Sequence, residues 1–258
     1  MNLLAKGQDQ TLAFQQALKM PIGEVEADVS TYIRKRISLY MKVDLPPLDS
    51  ARDFQFSEVP PEVAEARLGA LLVAVGRRDE ARRRLSAAVE ANPDVPDAYE
   101  GLGFLATVEQ DSKSALAFLE KAVAKGATNP QVHYRYARVL MDQYSSEPPE
   151  PVRAQALAAL QKALGADPSN ADAARLFGYL RLLDGSAQEG VDVVKKALEA
   201  NPDHVGLLFI LGQLYGRQEN FSAARAVYEH LLARKLDPGM VADVRRQLDW
   251  VVARMSNP

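Results

Sequence analysis

Apolar and small residues return along this chain at three- and four-residue steps, in short runs broken by polar turns. That spacing puts them on one face of an α-helix and does not fit the strict alternation of a half-buried strand. Within residues 62–95, Leu68, Gly69 and Leu72 share a face of a first helix, and Ala81, Leu85 and Ala88 a face of a second. Arg77, Arg78 and Asp79 read as the turn between them. Asn92-Pro93-Asp94 ends the second helix, because Pro93 has no N–H to continue it and biases Asn92 toward extended backbone. Asp94 is then placed to cap the next helix.

The helix pair recurs. Gly69, Gly103, Ala137, Gly178 and Gly212 are separated by 34, 34, 41 and 34 residues. Ala81, Ala115, Ala156, Gly190 and Ala224 follow one another by 34, 41, 34 and 34. Small residues are needed where two helices cross closely, since a larger side chain holds the backbones apart. The polar turn recurs as Asn201-Pro202-Asp203, with Asp167-Pro168-Ser169 as a variant. One helix pair cannot cover its own apolar face, so neighbouring pairs must stack.

Residues 62–238 resemble the tetratricopeptide repeat family, on the Leu-Gly or Phe-Gly pairs, the paired alanine ladder and the proline turns. The resemblance implies an all-α, right-handed α–α superhelix. Its five units would be 62–95, 96–129, 130–170 with an insertion, 171–204 and 205–238. Two positions depart from the pattern. Arg181 stands where the family has a large apolar residue, which predicts looser packing in the fourth unit. Gly190 replaces an alanine, at a helix cost of about 1 kcal/mol. The insertion, around Gln143 to Pro151, is too rich in proline to be helical before Pro151. It reads as a tolerated surface loop, with a lid or docking element beside the groove as the alternative.

The two ends differ from the middle. Residues 239–258 read as a capping helix and tail, with Val241, Val244, Leu248, Val251 and Met255 in one apolar stripe. Trp250, the single tryptophan, is expected to pack there. Residues 1–42 form an N-terminal helical segment and 43–61 a linker rich in proline and aspartate. The stretch Leu3 to Gln8, then Ala13 to Ala17, then Tyr32-Ile33, resembles the closing helices of a peptidase-MA-like zinc metallopeptidase. That resemblance implies a piece of a longer bacterial protein; an unrelated helical cap is the alternative.

Composition narrows the chemistry. A formal net charge of −3 gives no general attraction to nucleic acid or anionic membrane. The absence of cysteine removes disulfides and thiolate metal sites. No apolar run reaches the roughly 20 residues of a membrane span. His133, His204 and His230 are scattered, so the two histidines one turn apart that a zinc peptidase needs are missing. No phosphate loop or nucleophile elbow occurs. No cofactor, metal or catalytic residue is nominated, and the chain is expected not to be an enzyme. Cytoplasm and periplasm both fit.

The expected role is binding. In the family geometry, the first helix of each unit lines the concave side, and two positions in it point inward. They are Ala66 and Ala70, Glu100 and Phe104, Tyr134 and Arg138, Arg175 and Tyr179, Phe209 and Gln213. The candidate peptide groove is therefore Phe104, Tyr134, Arg135, Arg138, Arg175, Tyr179 and Phe209, a mix of aromatics and arginines typical of binding hot spots. The expected partner is a protein or peptide segment with an acidic and an apolar side chain. Two other roles stay open: a non-catalytic, substrate-recruiting part of a larger zinc peptidase, and a self-assembling homo-oligomeric scaffold.

Overall fold

The computed structural model describes residues 58–256, together with Glu24 and Ala27, both helical. The expected N-terminal helices of residues 1–42, and most of the linker after them, lie outside the described residues. Residues 58–256 hold eleven helices and no strand. They are α1 (Pro61–Ala74), α2 (Arg78–Ala91), α3 (Pro96–Val108), α4 (Ser112–Ala124), α5 (Pro130–Met141) and α6 (Glu150–Ala166). Then come α7 (Ala171–Leu183), α8 (Ala187–Ala200), α9 (Val205–Arg217), α10 (Phe221–Leu232) and α11 (Pro238–Ser256). Each odd helix packs on the even helix that follows it, and α11 packs on α10.

The small-residue ladder has a direct physical cause. A Cβ built on Gly69 would lie 2.6 Å from Leu85 Cγ, and one on Gly103 would lie 2.7 Å from Leu119 Cγ. On Gly178 it would meet Val194 Cγ2 at 2.9 Å, and on Gly212 the Tyr228 ring at 2.5 Å. Leu85, Leu119, Leu160, Val194 and Tyr228 hold the same place in successive second helices, and all are fully buried. Each pair is thus a knob on the second helix seated in a notch on the first. Burial pushes the Tyr228 hydroxyl far above its ordinary value.

The chain reverses within a unit on one residue in the left-handed region: Gly76, Gln110, Gly185 and Glu219, with φ of 79°, 61°, 81° and 59°. The turn of the first unit therefore centres on Gly76, and Arg78 and Asp79 already belong to α2. The corresponding place in the third unit is the start of the insertion.

The turns between units use their polar residues differently from the sequence expectation. Asp94 does not cap α3, whose N-cap is Val95 with no side-chain bond. Instead Asn92 Oδ1 accepts from the Asp94 N–H, which leaves the Asp94 carboxylate free to reach Lys125. Asp203 does the same, accepting from Arg234 at 2.5 Å. Both pairs tie an inter-unit turn to the end of the next second helix.

Two further expectations change. Leu68 is 47% exposed and not on the packed face, and Leu71 and Val75 are also exposed. On α1 the buried residues are Ala66, Gly69 and Val73, and Leu72 packs beside them as expected. In α11 the inward stripe is Met240, Val244, Leu248 and Val251, while Met255 is exposed. Arg181 does not leave the fourth unit loose. Its guanidinium lies 5.1 Å from the Phe177 ring centroid and pairs with Asp184 at 2.8 Å and Glu189 at 2.7 Å. Gly190 beside it is small because Leu214 and the Arg181 stem stand where a Cβ would go.

Candidate functional site

Successive first helices are not evenly spaced. α1 and α3 approach closely, as do α7 and α9, whereas α3–α5 and α5–α7 stand further apart. Gly178 lets α9 come near, since a Cβ there would already touch Ile210 and Leu214. In α5 the ladder residue is Ala137, and it is surrounded by Tyr134, Arg135, Tyr136 and Arg138. Side chains of that volume hold the neighbouring helix off.

The resulting gap is a cavity of about 750 Å³. Tyr134, Arg138, Met141 and Asp142 form one wall, Asp172, Arg175, Leu176 and Tyr179 the other. The insertion, from Tyr144 to Pro148, closes one side. Arg153 holds this loop: its Nη1 donates to Glu147 Oε1 and to the Pro148 carbonyl, both at 2.8 Å. Pro149 then caps α6, and Pro151 sits in the first turn, where its missing N–H costs nothing. The insertion therefore lines this cavity while most of its residues stay exposed.

Four of the seven candidate residues, Tyr134, Arg138, Arg175 and Tyr179, line this cavity. Tyr134 is mostly packed, at 8% exposure, while Tyr179 offers its ring at 40%. Arg138 and Arg175 are exposed. Arg138 Nε stands 3.7 Å from Asp142, a loose pair between two solvated groups. Arg175 forms no ion pair among the described residues. Its stem lies against Gly206, where a Cβ would come within 2.8 Å of Arg175 Cδ, so glycine at the start of α9 seats it.

The other three lie elsewhere. The Arg135 guanidinium sits 4.7 Å from the Phe104 ring centroid, a half-buried stack bridging α3 and α5. Phe209 packs on Tyr228, with ring centroids 6.2 Å apart, in the C-terminal core. Of the remaining positions expected to face the groove, Ala66 is fully buried. Glu100 is partly buried and accepts from Asn129 Nδ2 at 3.1 Å. Burial pushes its carboxyl above the ordinary range, outweighing the Asn129 hydrogen bond.

The histidines have structural roles. His133 is buried and directs Nε2 at the Ala127 carbonyl at 2.8 Å, so Nε2 carries the hydrogen. His204 caps α9 by accepting from Leu207 N–H, and His230 lies 2.8 Å from Arg234 Nη2. Among the described residues no group of three or more acidic or histidine side chains could hold a metal ion. None of the described helices is long and apolar enough to cross a membrane.

Residues 55–130 and 153–205 match one family profile described as tetratricopeptide repeat, and residues 205–238 match a second with the same description. The chain belongs to the tetratricopeptide repeat family. Its paired helices form the all-α superhelix of that family, the architecture of a protein–protein interaction module. Among solved tetratricopeptide structures, YrrB, "a TPR protein with an unusual peptide-binding site", is 22% identical with a TM-score of 0.60. That alignment covers 70% of this chain and 90% of YrrB. A MamA structure, 18% identical, has a TM-score of 0.55 over 67% of this chain and 98% of MamA. PilF of Pseudomonas aeruginosa is 19% identical, with a TM-score of 0.51 over 75% of this chain and 90% of its own. No curated relative matches the sequence.

Proposed function

We propose that the cavity between α5 and α7 holds an extended peptide segment of a protein partner. One observation carries this: an open guanidinium, Arg175, and an exposed aromatic face, Tyr179, share a cavity with an anchored loop as its third wall. Its volume falls within the range of roughly 300–1,000 Å³ typical of ligand sites. Arg175 receives a carboxylate of the segment through its planar fork. Tyr179, Leu176 and the rim of Tyr134 receive an apolar side chain. Asp142 and Asp172, which also line the cavity, disfavour a second acidic residue close to the first.

The test uses peptides selected from an immobilised random library on the full chain. The variant R138Q/R175Q/Y179A removes only exposed groups. Binding measured by fluorescence polarisation should weaken at least about ten-fold, with the melting temperature unchanged. Selected peptides that bind this variant as tightly as the parent protein would sink the proposal.

A further inference from the structure

A second cavity, of about 510 Å³, lies at the C-terminal end of the array between α9, α10 and α11. Its lining includes Phe221, Tyr228 and Trp250, together with Arg217, Arg246 and Arg254. The repeat pattern is altered here. The position filled by Val73, Thr107, Met141 and Leu182 in earlier first helices is Gly216 in α9. A Cβ on Gly216 would stand 3.1 Å from Trp250 Cζ3, so the glycine makes room for the indole. The position filled by Arg78, Ser112, Arg153 and Ala187 in earlier second helices is Phe221. Its ring meets Trp250 edge-on, with centroids 5.8 Å apart and planes at 74°. Two departures from the repeat thus serve one ring.

That ring is nevertheless 44% exposed, although its neighbour Val251 is fully buried. Position 250 lies off the Val244 and Val251 stripe, so the indole packs on Phe221 and beside Gly216 and keeps one side open. Here it forms a rigid open platform beside cations. Arg254 covers part of it, 5.5 Å from the ring centroid. Arg246 is already bound to Asp243. Arg217 and Arg254 form no ion pair among the described residues and are exposed. The carboxylate-binding capacity of the cavity therefore rests on these two arginines, against the single acidic lining residue Glu219.

We infer that this cavity is a second peptide site, which takes an acidic segment by seating an apolar or aromatic side chain on Trp250 and carboxylates on Arg217 and Arg254. Charge complementarity supplies the choice of ligand, and the indole and Phe221 supply the apolar contact area. This site is independent of the α5–α7 cavity, and either one stands if the other fails.

Because Trp250 is the only tryptophan, its emission reports on this cavity alone. The probe is the acetylated, amidated peptide Asp-Leu-Asp-Phe-Asp-Leu, titrated into the full chain with excitation selective for tryptophan. Its control carries asparagine for each aspartate. The acidic peptide is expected to change Trp250 emission saturably, and the control to bind at least about ten-fold more weakly. Arg217→Gln with Arg254→Gln, both exposed, is expected to weaken the acidic peptide at least about ten-fold without moving the thermal melt. R138Q/R175Q/Y179A, in the other cavity, is expected to leave the Trp250 titration unchanged. No saturable change by about 1 mM peptide, equal response to the neutral control, or arginine variants that bind like the parent protein would each overturn the inference.

Discussion

The second and third repeat units share one packing plan and present very different surfaces. In the second, Gly103 receives Leu119 and the chain turns on Gln110 alone. In the third, Ala137 stands at the same register opposite the buried Leu160, and the turn becomes a proline-bearing loop latched by Arg153. The position that carries Glu100 in one carries Tyr134 in the other. Glu100 is tied to Asn129, whereas Tyr134 walls a cavity. The buried notch and knob are kept, and the variation falls on the turn and on the groove side. The buried contact and the cavity lining therefore reside in different residues of the same helix pair.

Four variants sharpen that contrast. Gly103→Leu should destabilise the chain by about 3 kcal/mol in urea unfolding, because Leu119 has nowhere to move. By contrast Gly165→Ala in α6, where nothing lies within 4 Å, should stabilise it by about 0.5–1 kcal/mol. A destabilising Gly165→Ala would show that the third unit is packed as tightly as the second. Next, deleting residues 145–151 and placing glycine at Tyr144 should restore a short turn. Stability should change by no more than about 1 kcal/mol, since loop length carries little entropy. Peptides selected on the α5–α7 cavity should no longer bind, a loss visible by fluorescence polarisation. Gln110→Gly should stabilise by about 1 kcal/mol in the same unfolding assay, because it relieves a side chain at φ 61°.

The smallest effect depends on pH. Burial holds the Glu100 carboxyl above its ordinary range, so folding disfavours its ionised form. Glu100→Gln should then raise the melting temperature at pH 7. The gain should shrink as pH falls through the raised carboxyl value and vanish where Glu100 is protonated in both states. A gain that persists into acid would mean that burial of the charge is not its source.

The helix pairs were legible because their cause is local and repeated. A small residue and its buried partner recur with the period, so Leu85, Leu119, Val194 and Tyr228 mark the same contact four times. What the period hides is any place where neighbours differ. Leu68 falls on the expected face of α1 yet is exposed, while Gly69 and Leu72 of that face pack as expected. The α5–α7 cavity depends on bulky groups around Ala137 and on an extra loop, neither of which periodicity describes. Helix geometry picks out Tyr134, Arg138, Arg175 and Tyr179, which line one cavity. That Arg135 stacks on Phe104 and Phe209 on Tyr228 was not legible, because stacking on a neighbour depends on distances that spacing does not carry. Trp250 packs on Phe221 and beside Gly216, a glycine out of step with the ladder, and what spacing does not carry is that part of it stays exposed.

The single left-handed residue that reverses the chain within a unit is also a port. The third unit shows that seven residues can be spliced in there without disturbing the helix phase on either side. Gln110 and Glu219 mark the same station in the second and fifth units. Foreign loops grafted at those two stations should border the space beside their first helices as the native one lines the α5–α7 cavity, which makes the scaffold open to new surfaces by exchange of its edges alone.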